Sequence, residues 1–189
     1  MTPFQKSLKE VQEVFAALKP LEPALQKTAE VIEQALLAGN KLLVCGNGGS
    51  AADSAHFATE LACRFSGDRR PYPAVALGVD GSLLTAIGND YEFEDIFSRQ
   101  VRAFGRPGDV LVTFSTSGKS RNVLRAIEEA RRLEMRTVAL LGKGGGFITG
   151  AAEIELLVPE TKTTARIQEA HKFLVHVLCE ILEERLPRE

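Results

Sequence analysis

Apolar positions near the start of the chain recur at helical spacing. Phe4, Leu8, Val11, Phe15 and Leu18 are separated by four, three, four and three residues, which marks one stripe on one helix face. Pro20 and Pro23 punctuate the stripe, and a second helix is predicted to run to Gly39. Two amphipathic helices ahead of any strand cannot bury that stripe alone. Either the main domain or another subunit must cover it, and the heptad-like spacing favours a subunit. Residues 1–39 therefore read as a helical oligomerisation arm and residues 40–189 as the main domain.

From Lys41 the rhythm changes to short apolar runs, "KLLVC", "AVAL", "DVLVTF", "TVALL" and "EIELLV", alternating with helical stretches at 50–65, 93–104, 119–134 and 164–186. Runs that are apolar at consecutive positions suit strands covered on both faces, so the pattern predicts an α/β fold with a doubly wound, five-stranded parallel sheet. In such a sheet the ligand crevice lies outside the carboxyl ends of the strands, where helix N-termini point.

Composition narrows the function classes. With 44% hydrophobic and 25% charged residues and a net charge of -2, the chain carries no global field that would recruit nucleic acid or an anionic membrane. The first fifteen residues carry a charge every few positions, and nowhere does an apolar run reach the roughly 18 residues of a membrane span. A cytoplasmic protein without membrane or direct nucleic-acid partners is expected. Cys45, Cys63 and Cys179 are widely spaced and form no CxxC, so they read as buried, reduced thiols.

Two polar turns fall at strand-to-helix junctions. In "GNGGS", Asn47, Gly48, Gly49 and Ser50 would bring backbone N–H groups and a helix N-terminus to an anion or to sugar oxygens. The turn has neither GxGxxG spacing nor a Walker lysine, which disfavours a dinucleotide or a nucleoside triphosphate. In "FSTSGKSRN", the hydroxyls of Ser115, Thr116, Ser117 and Ser120 surround Gly118 at a helix start. One hydroxyl suffices to cap a helix, and four suit the oxygens of a phosphate. Lys119 either adds charge there or is solvated. His56 and Glu60, four residues apart, share a helix face and can reach one metal or one substrate atom. The last helix offers Gln168, Glu169, His171 and His176, and a His, Glu, Gln and His set would suit zinc. Because Gln168 and His176 stand about 12 Å apart along a helix axis, either long side chains converge from two turns or neighbouring subunits share the site.

Taken together, "CGNGGSAADSAHFATEL", "GNDYEFEDIFSRQV", "GDVLVTFSTSGKSRNVLRAI" and "RIQEAHKFLVH" resemble the bacterial phosphoheptose isomerases of the sugar isomerase (SIS) domain family. The resemblance implies a flavodoxin-like SIS domain, a homotetramer built through the N-terminal arm, and one zinc ion per subunit. It further implies conversion of sedoheptulose 7-phosphate to D-glycero-D-manno-heptose 7-phosphate through an enediolate, the first step of ADP- or GDP-heptose biosynthesis. Carried over by position, the metal ligands are His56, Glu60, Gln168 and His176, and the catalytic pair is Glu60 and His176. Ser115, Thr116, Ser117 and Ser120 become phosphate ligands, while Asn47, Gly48, Gly49, Ser50, Asn89, Asp90 and Gln168 line the sugar. Some members carry Asp where this chain has Ala165. The family also resembles, through "CGNG" and "RIQE", non-enzymatic tetramers that bind the replication initiator DnaA, and sugar-phosphate-sensing regulatory domains. The adaptors lack the full His, Glu and His set that this chain keeps.

Overall fold

A computed structural model describes residues 1–159, 161 and 163–189. Five strands, β1 (Leu42–Gly46), β2 (Ala74–Ala76), β3 (Val110–Ser115), β4 (Arg136–Leu141) and β5 (Ile154–Leu157), form one sheet in the order β2-β1-β3-β4-β5, with every pairing parallel. Parallel strands buried on both faces send alternate residues to opposite layers. Leu42 and Val44 of β1, Val110, Val112 and Phe114 of β3, and Val138 and Leu140 of β4 enter one core. Their neighbours Leu43, Cys45, Leu111, Ala139 and Leu141 enter the other.

Helices α1 (Pro3–Ala16), α2 (Glu22–Leu37), α3 (Gly49–Ala62) and α7 (Thr164–Arg185) cover the first face. Helices α4 (Gly81–Asp90), α5 (Ser98–Phe104) and α6 (Arg121–Arg132) cover the second. Each contributes residues at helical spacing, such as Ala170, Leu174, Leu178 and Leu182 from α7 and Val123, Ala126, Ile127 and Ala130 from α6. The chain leaves β1 for β2 on one side and returns to β3 on the other, so a crevice opens between the carboxyl ends of β1 and β3.

Several sequence expectations change in detail. Helix α2 buries Leu25, Ala29, Ile32 and Leu36 against this chain's own sheet layer, so the second helix belongs to the monomer's core. In α1 the inward residue is Val14, with Leu18 just beyond the helix, while Phe4 and Leu8 remain exposed. The helix expected over 93–104 is a 3-10 turn at Phe93–Asp95 followed by α5. Helix α4 was not expected, and it places the "GND" element on its last turn. Cys45 and Cys179 are buried, but Cys63 is exposed because it sits at the C-cap of α3, where the chain turns outward.

Candidate functional site

Helices α3, α6 and α7 all begin at the carboxyl ends of strands. Among the described residues, none of their N-cap positions, Gly48, Ser120 and Thr163, makes a side-chain capping bond. Backbone donors at these termini are thus left for a ligand or water. Gly48 adopts φ 58 and ψ -121, a conformation that costs glycine little and other residues much.

A reciprocal amide pair ties the first two turns together across the β1/β3 crevice. Asn47 Nδ2 donates to Asn122 Oδ1 at 2.9 Å, and Asn122 Nδ2 donates to Asn47 Oδ1 at 2.8 Å. Asn122 is buried and also accepts from the Val123 N–H at 2.9 Å. Sequence reasoning missed it, because an Asn in the first turn of a helix reads as local capping. In the hydroxyl turn, Ser115 Oγ accepts from Gly118 N at 3.1 Å and lies 3.4 Å from Ser120 Oγ, and Ser117 Oγ accepts from Lys119 N at 3.1 Å. These bonds fix the loop's shape while the hydroxyl proton of Ser117, and that of either Ser115 or Ser120, is left to be donated among the described residues.

The second half of the site lies along the contact between α3 and α7, which run parallel with a nearly constant offset. At the first rung Gly49 lies so close to Gln168 that a Cβ there would collide with Nε2 of the amide. One turn on, Lys172 pairs with the largely buried Asp53 at 2.9 Å. At the next rung His56 Nε2 meets His176 Nε2 at 2.9 Å, and His56 Nε2 lies 3.2 Å from Glu60 Oε1. The structure therefore brings His56, Glu60 and His176 together within one chain. Gln168 sits at the glycine turn instead, two turns of α7 away. Asn89 and Asp90 are exposed at the end of α4, where Asn89 Nδ2 donates to Asp90 Oδ1 at 2.9 Å.

The triad presents His56 as a neutral imidazole between a second imidazole and a carboxylate. Burial first, then the Lys172 ammonium, hold the His56 imidazole below its ordinary pKa, against the pull of Glu60. His56 Nε2 thus faces an imidazole nitrogen and a carboxylate oxygen at once, and one proton cannot satisfy all the lone pairs. Two imidazoles and a carboxylate are among the donor types zinc takes. The three side chains form a chain with His56 in the middle; no cluster of three or more His, Cys, Asp or Glu suited to a metal is found among the described residues.

His171, on the same helix, plays a different part. It is fully buried, its Nε2 lies 3.3 Å from the Leu141 carbonyl at the end of β4, its Nδ1 has no partner among the described residues, and burial pushes its pKa down to about 4. It is a neutral anchor between α7 and the sheet.

This geometry can be set beside known proteins. Residues 5–142 match the family model described as the SIS domain. A phosphoheptose isomerase of Geobacter sp. (strain M21) is 53% identical over 92% of this chain and 91% of its own length. That of Shewanella loihica is 47% identical over 93% of this chain and 90% of its own. Among solved structures, the phosphoheptose isomerase GmhA from Neisseria gonorrhoeae superposes with a TM-score of 0.84 at 45% identity, covering 96% of this chain and 95% of that one. A phosphoheptose isomerase from Francisella tularensis gives 0.88 at 39% identity, covering 97% and 100%.

Proposed function

Because the chain belongs to the phosphoheptose isomerase family of SIS-domain proteins, we propose that it interconverts sedoheptulose 7-phosphate and D-glycero-D-manno-heptose 7-phosphate by aldose–ketose isomerisation. The observation that carries this reading is that the triad His56, Glu60 and His176 is built on α3, the helix that begins at the glycine turn, and that Asn122 ties that turn to the hydroxyl turn. A hydroxyl-rich turn with open helix N-termini suits one end of a sugar phosphate, and a carboxylate beside two imidazoles suits proton movement at the other.

In the mechanism, Ser115, Thr116, Ser117 and Ser120 hold the phosphate, while Asn47, Gly48, Gly49, Ser50 and Gln168 align the open-chain sugar oxygens. Asn47 is itself held by Asn122. Glu60 takes the proton from the carbon next to the carbonyl and returns it to the neighbouring carbon, so the sugar passes through an enediolate. His176 moves the accompanying proton between the two oxygens. Asn89 and Asp90 approach the sugar hydroxyls from the end of α4. Isomerisation moves one proton pair and leaves the sugar's overall oxidation level unchanged, so no redox partner is required.

Zinc, one ion per subunit, would be held by His56, Glu60 and His176 and would supply Lewis-acid stabilisation of developing oxygen charge, while Gln168, two turns of α7 away at Gly49, stays with the sugar. We further propose a homotetramer joined through the outward face of α1. Phe4 and Leu8 are exposed there, and Phe15 stacks at 5.0 Å on the half-exposed Phe173 of α7. Light scattering should give a particle near four times 20.6 kDa, and a stable active monomer would reject it. No helix among the described residues is long and apolar enough to cross a membrane.

The experiment that tests the function is direct. Purified protein is supplied with sedoheptulose 7-phosphate, and the aldose product is measured by a coupled kinase. Product formation supports the proposal; its absence in zinc-supplemented protein overturns it.

A further inference from the structure

The hydroxyl turn offers a dianion mainly neutral donors, and its own Lys119 is exposed with its side chain laid across Gly146. A second loop packs against this turn along its whole length. Gly142 N donates to the Ser115 carbonyl at 3.2 Å, and Ile148 N donates to the Gly118 carbonyl at 3.2 Å. A Cβ on Gly118 would overlap the Gly145 carbonyl, and one on Gly146 would crowd the Gly118 carbonyl. Gly142, the residue before Lys143, lies so close to the hydroxyl turn that a Cβ there would stand 2.8 Å from the Thr116 carbonyl.

Within this loop, Lys143, Gly144, Gly145 and Gly146 all have positive φ. Three of the four are glycine, for which that backbone is inexpensive. Lys143, at φ 48, is the exception, and a left-handed non-glycine residue costs conformational energy that glycine would avoid. The position that keeps a side chain at that cost keeps a cation. Its ammonium donates to Thr164 Oγ1 at 2.9 Å, on the first turn of α7 and four residues before Gln168. A cation at a helix N-terminus opposes the helix dipole, and an anion arriving between them reverses the sign of that contact. One of the ammonium's donors is used by Thr164, and no other partner for it is found among the described residues.

We infer that Lys143 is a further substrate-binding residue, supplying positive charge to the phosphate beside the neutral donors of the hydroxyl turn. The inference rests on the reading of that turn as the phosphate holder. It is tested with Lys143→Met, which keeps the length and the left-handed backbone cost while removing the charge, and with Lys143→Arg, which restores charge. Lys143 is exposed, and unchanged thermal melts will show that both variants fold.

For sedoheptulose 7-phosphate, Lys143→Met should raise KM about ten- to a hundredfold, as expected for one charged hydrogen bond, with kcat within about threefold. Lys143→Arg should recover most of the loss, and slow turnover of phosphate-free sedoheptulose should be unaffected by either change. An unchanged KM, or an equal loss with both sugars, overturns the inference. Calorimetric titration with inorganic phosphate separates this outcome from failure of the proposed function. If the unsubstituted protein does not isomerise the sugar phosphate, weaker phosphate binding by Lys143→Met still supports the residue's role, and equal binding refutes it.

Discussion

Removing the amide that joins the two ligand turns, Asn122→Ala, tests whether the crevice is held together by the pair seen across it. The substitution deletes two side-chain hydrogen bonds to Asn47, at 2.9 and 2.8 Å, and one accepted from Val123 N. The Val123 N–H keeps its bond to the Ser120 carbonyl, so that loss is partly covered. Two neutral bonds at about 1 kcal/mol each, plus a small void at a buried position, give a destabilisation of about 2–4 kcal/mol. For a domain of this size that is a fall in Tm of roughly 4–16 °C. Asn47 is half-buried and can turn to water, so Asn47→Ala should cost less. The double variant should cost less than the sum of the singles by about 1–2 kcal/mol, read from urea unfolding of all four proteins. KM for the sugar phosphate should rise in both single variants, because each frees the glycine turn from the hydroxyl turn. A coupling energy near zero, or an Asn122→Ala protein as stable as its parent, would refute the reasoning.

Two further outcomes follow. His171 has its pKa lowered from 6.5 to about 4 in the fold, so its contribution is fully present above pH 6.5 and is lost as pH falls toward 4, by roughly 3 kcal/mol. His171→Leu should flatten that limb of the stability profile, and a profile identical to the parent's would remove His171 from it. Metal content should be about one zinc per chain, and His56→Ala should lose it. Elemental analysis that found no zinc after supplementation would withdraw the ligand assignment while leaving the isomerase to stand on its own assay.

How much of this was legible beforehand depended on whether the signal was local. The five strands were, because each is a run apolar at consecutive positions, and so was the placing of the two polar turns at strand ends, because Gly, Asn and Ser clusters fall directly after β1 and β3. Helix α4 was not, although Asp80 caps it by accepting from Ser82 N and Leu83 N; its apolar face is short and mostly exposed, so periodicity was weak. The pairing of α3 with α7 could not be read from either helix, since their offset is set by packing across some 120 residues of chain. That offset decides that His176, and not His171, meets His56, and that Gln168 stands at Gly49. The glycine run at 144–146 gave no signal of its own, because its contact with Gly118 depends on the neighbouring positions of β3 and β4 in the sheet.

The central claim is that Glu60 is the base of an aldose–ketose isomerase, and the direct measurement is exchange of the substrate's carbon-bound proton with deuterated solvent, followed by NMR. Glu60→Gln keeps the side chain's size and an oxygen for the metal but loses the basic carboxylate. The unsubstituted protein should exchange one proton of sedoheptulose 7-phosphate and accumulate the aldose. Glu60→Gln should still bind zinc and the sugar phosphate while exchange and turnover both fall by about 10²–10⁴-fold. Undiminished exchange in Glu60→Gln would contradict the account and leave Glu60 as a metal ligand only.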